Sequence, residues 1–125
     1  MKNAVITAPV LIQPDPKKPY TIETDSSDFG NSIALYQESE DRKLHPIAFD
    51  GRKLQRAELK YSTHEKELLA IKYALQKWRQ YIENDLPITV ITDHNLLKYM
   101  NTVQKLSKRL ARWIDEFQQY NLIIK

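Results

Sequence analysis

Leu68, Ile71, Leu75, Trp78 and Ile82 recur at steps of three and four, the longest periodic run in the chain. Such spacing places apolar residues on one face only if the segment is an amphipathic helix. Ser62 and Glu65 stand at capping-box spacing ahead of the run, which predicts a helix start at Ser62. Pro87 is its stop signal, since a helix interior tolerates neither the missing N–H nor the ring. A helix with one apolar stripe needs a sheet or a second helix to cover it, and the flanking segments supply both.

Ahead of the helix, Tyr20, Ile22 and Thr24 alternate with Thr21, Glu23 and Asp25, the period-two pattern of a strand that ends at Asp25. Gly30-Asn31 reads as a turn, Ser32 to Gln37 as a second strand, and Leu44 to Phe49 as a third, closed by Asp50-Gly51. These three form an antiparallel meander. After the helix, Ile88 to Thr92 is a short β-branched run suited to a strand buried on both faces, with Asp93 at its end. A short helix from Asn95 to about Met100 is expected next. Another runs from Ser107 to Tyr120, with Leu106, Leu110, Trp113, Ile114 and Phe117 on its inner stripe, and a last strand covers Leu122 to Lys125. Three strands, a helix, a strand, helices and a strand make an α/β order. In it the first and fourth strands can lie side by side in parallel through a right-handed crossover.

The 125 residues and 42% hydrophobic content suit one domain with a real core. Residues 1–19 form an extended lead-in, since four prolines between Pro9 and Pro19 resist regular structure; the domain proper is residues 20–125. Without cysteine there is no disulfide framework, thiolate metal site or thiol nucleophile, so catalysis falls to carboxylates, histidines or hydroxyls. A net charge of +3, with the charges interspersed, permits a polyanionic partner without requiring one. The apolar run of Met1 to Val10, broken by Pro9, is too brief for a secretory core or a membrane span, so a soluble intracellular protein is expected.

Two strands end in the same dipeptide, Thr24-Asp25 and Thr92-Asp93. If they are parallel neighbours, both carboxylates emerge at the carboxyl edge of the sheet, where open α/β sheets bind ligands. Glu67, one position before the first core residue of the long helix, can lean toward that edge. Crowded carboxylates repel one another unless cations neutralise them, and hard oxygen ligands suit magnesium, which also takes phosphate oxygens. A phosphodiester is the natural substrate of such a site, where two metals about 4 Å apart activate water and stabilise the leaving oxygen. Against this stands the ordinary role of an acidic residue as a solvated or turn-capping group, which Asp28 illustrates beside Asp25.

Thr24-Asp25-Ser26-Ser27-Asp28-Phe29 resembles the opening block of the ribonuclease H domain in gypsy-type LTR retrotransposon reverse transcriptases. Phe49 to Leu54, Ala57-Glu58, Tyr61 to Ile71, Thr92-Asp93-His94-Asn95-Leu96-Leu97, Arg109 to Trp113 and Gln118-Gln119-Tyr120 resemble its later blocks, in order. The lead-in resembles the junction with the polymerase part. The resemblance covers nearly the whole chain. It implies the ribonuclease H-like fold, a mixed five-stranded sheet with helices packed on it, and a metal-dependent endonuclease that cuts the RNA strand of an RNA/DNA hybrid.

Carried over position by position, the catalytic and metal-binding acids are Asp25, Glu67 and Asp93, with Mg2+ as cofactor and Mn2+ as substitute. His94 follows Asp93 and is expected to orient the site. Lys108, Arg109 and Arg112, with Lys105, form a basic stripe on the late helix, expected either as solvated surface or as contacts to the nucleic-acid backbone. His45 and His64 are expected to pack or cap. Tyr73, Trp78, Tyr81 and Trp113 are expected to pack too.

Two departures stand out. Ser32-Ile33-Ala34-Leu35 replaces the usual Gly-Ala-Val-Leu. The family's terminal helix, which brings a fourth carboxylate, has no counterpart after Lys125, so the two-metal site is expected to be incomplete and apolar sheet surface uncovered. Two functions therefore stay open: an active hydrolase, and a module that binds hybrid or reverse transcriptase subunits without cutting. Another nuclease or an integrase of the same fold is disfavoured by the Thr-Asp-His and Tyr-Ser-Thr blocks. The expected partners are RNA/DNA hybrid and the rest of the reverse transcriptase polyprotein or its subunits, with no membrane. The expected location is a cytoplasmic virus-like particle, with the nucleus as the alternative.

Overall fold

The structure, a computed structural model, describes residues 11–92, 96 and 108–125. Three antiparallel strands come first: β1 (Tyr20–Ser26), β2 (Gly30–Glu38) and β3 (Leu44–Lys53). A 3-10 turn at Glu58–Lys60 leads into helix α1 (Thr63–Lys77), a short helix α2 (Arg79–Ile82), strand β4 (Ile88–Ile91), helix α3 (Lys108–Phe117) and strand β5 (Leu122–Ile124). The sheet order is β3-β2-β1-β4-β5, with β1, β4 and β5 parallel. This is the expected mixed five-stranded sheet.

Alternation decides which face of the sheet is covered. Tyr20, Ile22 and Thr24 of β1 are buried, as are Ile33, Leu35 and Gln37 of β2, and α1 packs across both strands. Leu68, Ile71, Ala74 and Leu75 supply the stripe that α1 buries, and Leu110, Trp113 and Phe117 do the same for α3. The opposite face carries Glu23, Asp25, Phe49, Ile91 and Ile123 in the open.

Both hydrogen bonds of the capping box form: Ser62 Oγ accepts the Glu65 N–H, and Glu65 Oε1 accepts the Ser62 N–H. The predicted single helix to Ile82 is instead two, because Trp78 leaves helical geometry at φ −110° and ψ 24° while its ring stays buried.

The expected turn and closing residues of the meander are also reassigned. The β1–β2 turn is built by Ser27, whose Oγ accepts the Phe29 and Gly30 N–H groups, so neither Gly30-Asn31 nor the Asp28 side chain is needed to make it. Gly30 opens β2, where a Cβ would sit 2.9 Å from the Arg52 carbonyl oxygen. Asp50-Gly51 lies inside β3, and Gly51 approaches the Asn31 carbonyl in the same way. Glycine here serves close strand contact rather than chain reversal.

The described lead-in, residues 11–19, has neither helix nor strand, yet it is tied down. Ile12 donates its N–H to the Pro46 carbonyl, and the buried Gln37 amide bonds to the backbone of Asp15 and Lys18. Pro46 lies on an edge strand beside a bulge, where its missing N–H breaks no ladder.

Candidate active site at the carboxyl edge of the sheet

β1 and β4 pair in parallel with Glu23 opposite Ile91, one residue before Thr24 and Thr92. Thr24, Asp25, Ile91 and Thr92 accordingly line one concavity of about 640 Å³ on the open face, together with Glu23, Tyr36, Phe49 and Asp50. Asp25, next to last in β1, is solvent-exposed there. Asp93 and His94 lie outside the described residues, as does Lys105.

Glu67 belongs to α1, which packs across β1 and β2. It sits in the second turn of α1, 8% exposed, and does not line the concavity. The residue before it ties the helix to the sheet edge: Lys66, also buried, donates from Nζ to the Asp28 carbonyl at 3.2 Å, in the turn that follows Asp25. Beneath this junction Thr24 Oγ1, Ser26 Oγ and both amide atoms of Asn31 are buried without a hydrogen-bond partner among the described residues. The sheet edge under α1 is thus a polar zone in an otherwise apolar interface.

His64 was expected to pack or cap, yet its Nδ1 lies 3.7 Å from Glu67 Oε2. The signal was in the sequence, since residues three apart on a helix share a face. His45 is paired with Asp41 at 2.9 Å, and neither lines the concavity.

The three cations on α3 divide. Lys108 and Arg112 are solvent-exposed. Arg109 folds back: its Nη2 donates to Glu65 Oε2 and its guanidinium lies 4.0 Å over the Tyr61 ring. Partial burial would raise the Glu65 carboxyl, but hydrogen bonds from Ser62 and Arg109 outweigh it and hold the pKa below its ordinary value. The same pairing raises the Arg109 pKa. At the rim of the concavity, Asp50 is held low by the Gly51 N–H and by Lys77, 3.0 Å away.

A family model described as the RNase H-like domain found in reverse transcriptase matches residues 15–120. The Transposon Tf2-3 polyprotein of Schizosaccharomyces pombe is 37% identical over 127 residues, a match that takes in 99% of this chain but 10% of the polyprotein. The chain therefore spans about a tenth of the curated relatives it matches. Among solved structures, the foamy viral protease-reverse transcriptase in complex with dsDNA superposes with a TM-score of 0.74 at 23% identity, covering 92% of this chain and 24% of that one. LC11-RNase H1 in complex with RNA/DNA hybrid gives 0.55 at 10% identity, covering 87% and 83%. At such identities the two superpositions establish the fold, which is ribonuclease H-like as the resemblance implied.

Proposed function

Because the chain belongs to the RNase H-like domains found in reverse transcriptases, we propose that it hydrolyses the RNA strand of RNA/DNA hybrids as a magnesium-dependent endonuclease within a retrotransposon polyprotein. The observation that carries this reading is the parallel pairing of β1 and β4, which sets Thr24 and Thr92 on the wall of one concavity, each followed in sequence by an aspartate.

The donor set fits a hard cation. Asp25 and Glu67 offer carboxylate oxygens, and Asp93, outside the described residues, offers the same chemistry. Among the described residues alone no three acidic or histidine side chains gather into a metal cluster, so the reading needs Asp93. Magnesium, or manganese in its place, supplies an activated water and neutralises charge at the phosphate when bound.

The chain's own residues do the rest. Asp25 presents an exposed carboxylate to the concavity, and Glu67 supplies a second, buried one from α1. Lys108 and Arg112 take backbone phosphates, which position the duplex without reading its sequence. The lead-in of residues 1–19 joins the domain to a preceding polymerase part, and the site of action is a cytoplasmic virus-like particle or the nucleus.

Cleavage of an end-labelled RNA/DNA hybrid with magnesium or manganese tests this, beside Asp25→Asn. Cleavage by the chain, reduced by more than about a hundredfold in the variant with its melting temperature unchanged, is the expected result. A folded chain that binds the hybrid and never cuts it would instead make this a binding module.

A further inference from the structure

Arg109 sits between two charged groups of opposite kind, the exposed cations of α3 and the acid-bearing start of α1, and its contacts point to one task. Glu65 divides its carboxylate: Oε1 accepts the Ser62 N–H at 3.0 Å to close the capping box, and Oε2 accepts from Arg109. The guanidinium carbon of Arg109 lies over the Tyr61 ring, 4.0 Å from its centroid, while the same group pairs with Glu65. A planar delocalised cation can stack by its face while it pairs by its edge, and a compact ammonium has no face to stack.

One turn further along α3, Trp113 packs its ring against the same Tyr61 at 5.8 Å. Arg109 and Trp113 share a helix face because they are four residues apart. Two contacts one turn apart on one aromatic ring fix the rotation of α3 against the segment that leads into α1, and the Glu65 pairing ties it to α1 itself. Lys108 and Arg112 are likewise four apart, on the adjoining face, and both are exposed. The rotation fixed by Arg109 and Trp113 therefore sets the direction in which those two cations point.

The other end of the linkage is Glu67, two residues after Glu65 in the same helix, with Lys66 between them bonded to the Asp28 carbonyl beside Asp25. We infer that Arg109 is a positioning residue that holds the cationic face of α3 in register with Glu67 and Asp25, and does not itself bind phosphate. Resting on the nuclease reading above, this means that Arg109 governs where along the RNA strand the cut falls relative to the phosphates that Lys108 and Arg112 hold. With its charge met by the Glu65 carboxylate and its guanidinium over Tyr61, Arg109 is less open to a phosphate than the exposed Lys108 and Arg112 are.

The test compares Arg109→Met, Arg109→Lys, Glu65→Gln and the Arg109→Met/Glu65→Gln double variant. Glutamine at position 65 keeps the capping box, so that variant removes the charge and the acceptor oxygen that Arg109 meets and leaves the helix cap in place. Cleavage of an end-labelled hybrid gives kcat, KM and the cut positions, and hybrid affinity at several salt concentrations gives the number of phosphate contacts. Arg109→Met and Glu65→Gln should each lower kcat by about tenfold to a hundredfold and spread the cut positions, with KM and the salt slope unchanged. The double variant should be no worse than either single one. Lysine at 109 keeps the charge without the stack and should fall between.

Arg109→Met raising KM and lowering the salt slope by about one, with Glu65→Gln behaving as wild type, would overturn the inference. Should the unaltered chain cut no hybrid, the nuclease reading falls while this one is decided by amide exchange at residues 65–67. Faster exchange in both single variants supports the linkage, and unchanged exchange sinks it.

Discussion

The side-chain amide of Gln37 holds the backbone of Asp15 at both of its polar groups, accepting the N–H at 2.7 Å and donating to the carbonyl at 2.6 Å. A third bond reaches the Lys18 carbonyl at 3.0 Å, from a residue only 2% exposed. A proline-rich segment with no ladder of its own is thereby stitched to the second strand.

Gln37→Ala should destabilise the fold by about 2 to 3 kcal/mol, because it leaves partly buried backbone groups unsatisfied as well as a gap. The urea midpoint should fall with the slope unchanged, and proteolysis near Lys17-Lys18 should quicken. Gln37→Met refills the volume without the amide; if it restored full stability, the hydrogen bonds would not be what holds the lead-in.

The Glu65 carboxyl sets a pH dependence whose sign follows from its direction. Its folded pKa lies below the ordinary 4.5, so the folded state binds the proton less readily than the unfolded chain. Its contribution is whole above the ordinary value and is lost as pH falls through the folded one. Glu65→Gln should thus be less stable than wild type at neutral pH, with the difference shrinking progressively below about pH 4.5. A gap that stayed constant down to pH 3 in thermal melts would show that the carboxylate's charge does not contribute.

Lys108→Ala and Arg112→Ala should each weaken hybrid binding, roughly equally for unrelated sequences, and each should reduce the salt slope by about one. Their melting temperatures should stay within a degree or two of wild type, since both side chains are exposed. Fluorescence titration over a range of potassium chloride concentrations checks this. An unchanged slope in both variants would move the duplex to another face.

Much of the architecture was legible because its determinants are local. Tyr20, Ile22 and Thr24 alternate, Ser62 and Glu65 cap, and both patterns appear in the fold as written. The reversal before β2 was misplaced because a serine can build a turn from one hydroxyl, as Ser27 does, while Gly30-Asn31 carries the more conspicuous turn signature. Asp50-Gly51 misled for the same reason, its glycine answering to a neighbouring strand that sequence spacing does not reveal.

The candidate site was legible through the two Thr-Asp strand ends, since the element order allows the parallel pairing that the structure has. Where Asp25 stands was foreseeable, and Asp93 falls outside the described residues. The partnership of Arg109 with Glu65 and Tyr61 was not foreseeable, because it joins segments far apart in sequence whose approach depends on how α3 docks. A basic stripe read from one helix cannot tell which of its members is already engaged.

The pairing of β1 with β4 also bears on the order in which the molecule assembles. The meander of β1, β2 and β3 joins neighbours in sequence and closes small loops, whereas β1 meets β4 only after the chain has passed through α1 and α2. Closing that larger loop carries a greater entropic cost. The seam between these two strands therefore belongs to the later stage of folding, so a chain that stalls with its meander complete has Asp25 in place but not the opposite wall of the concavity.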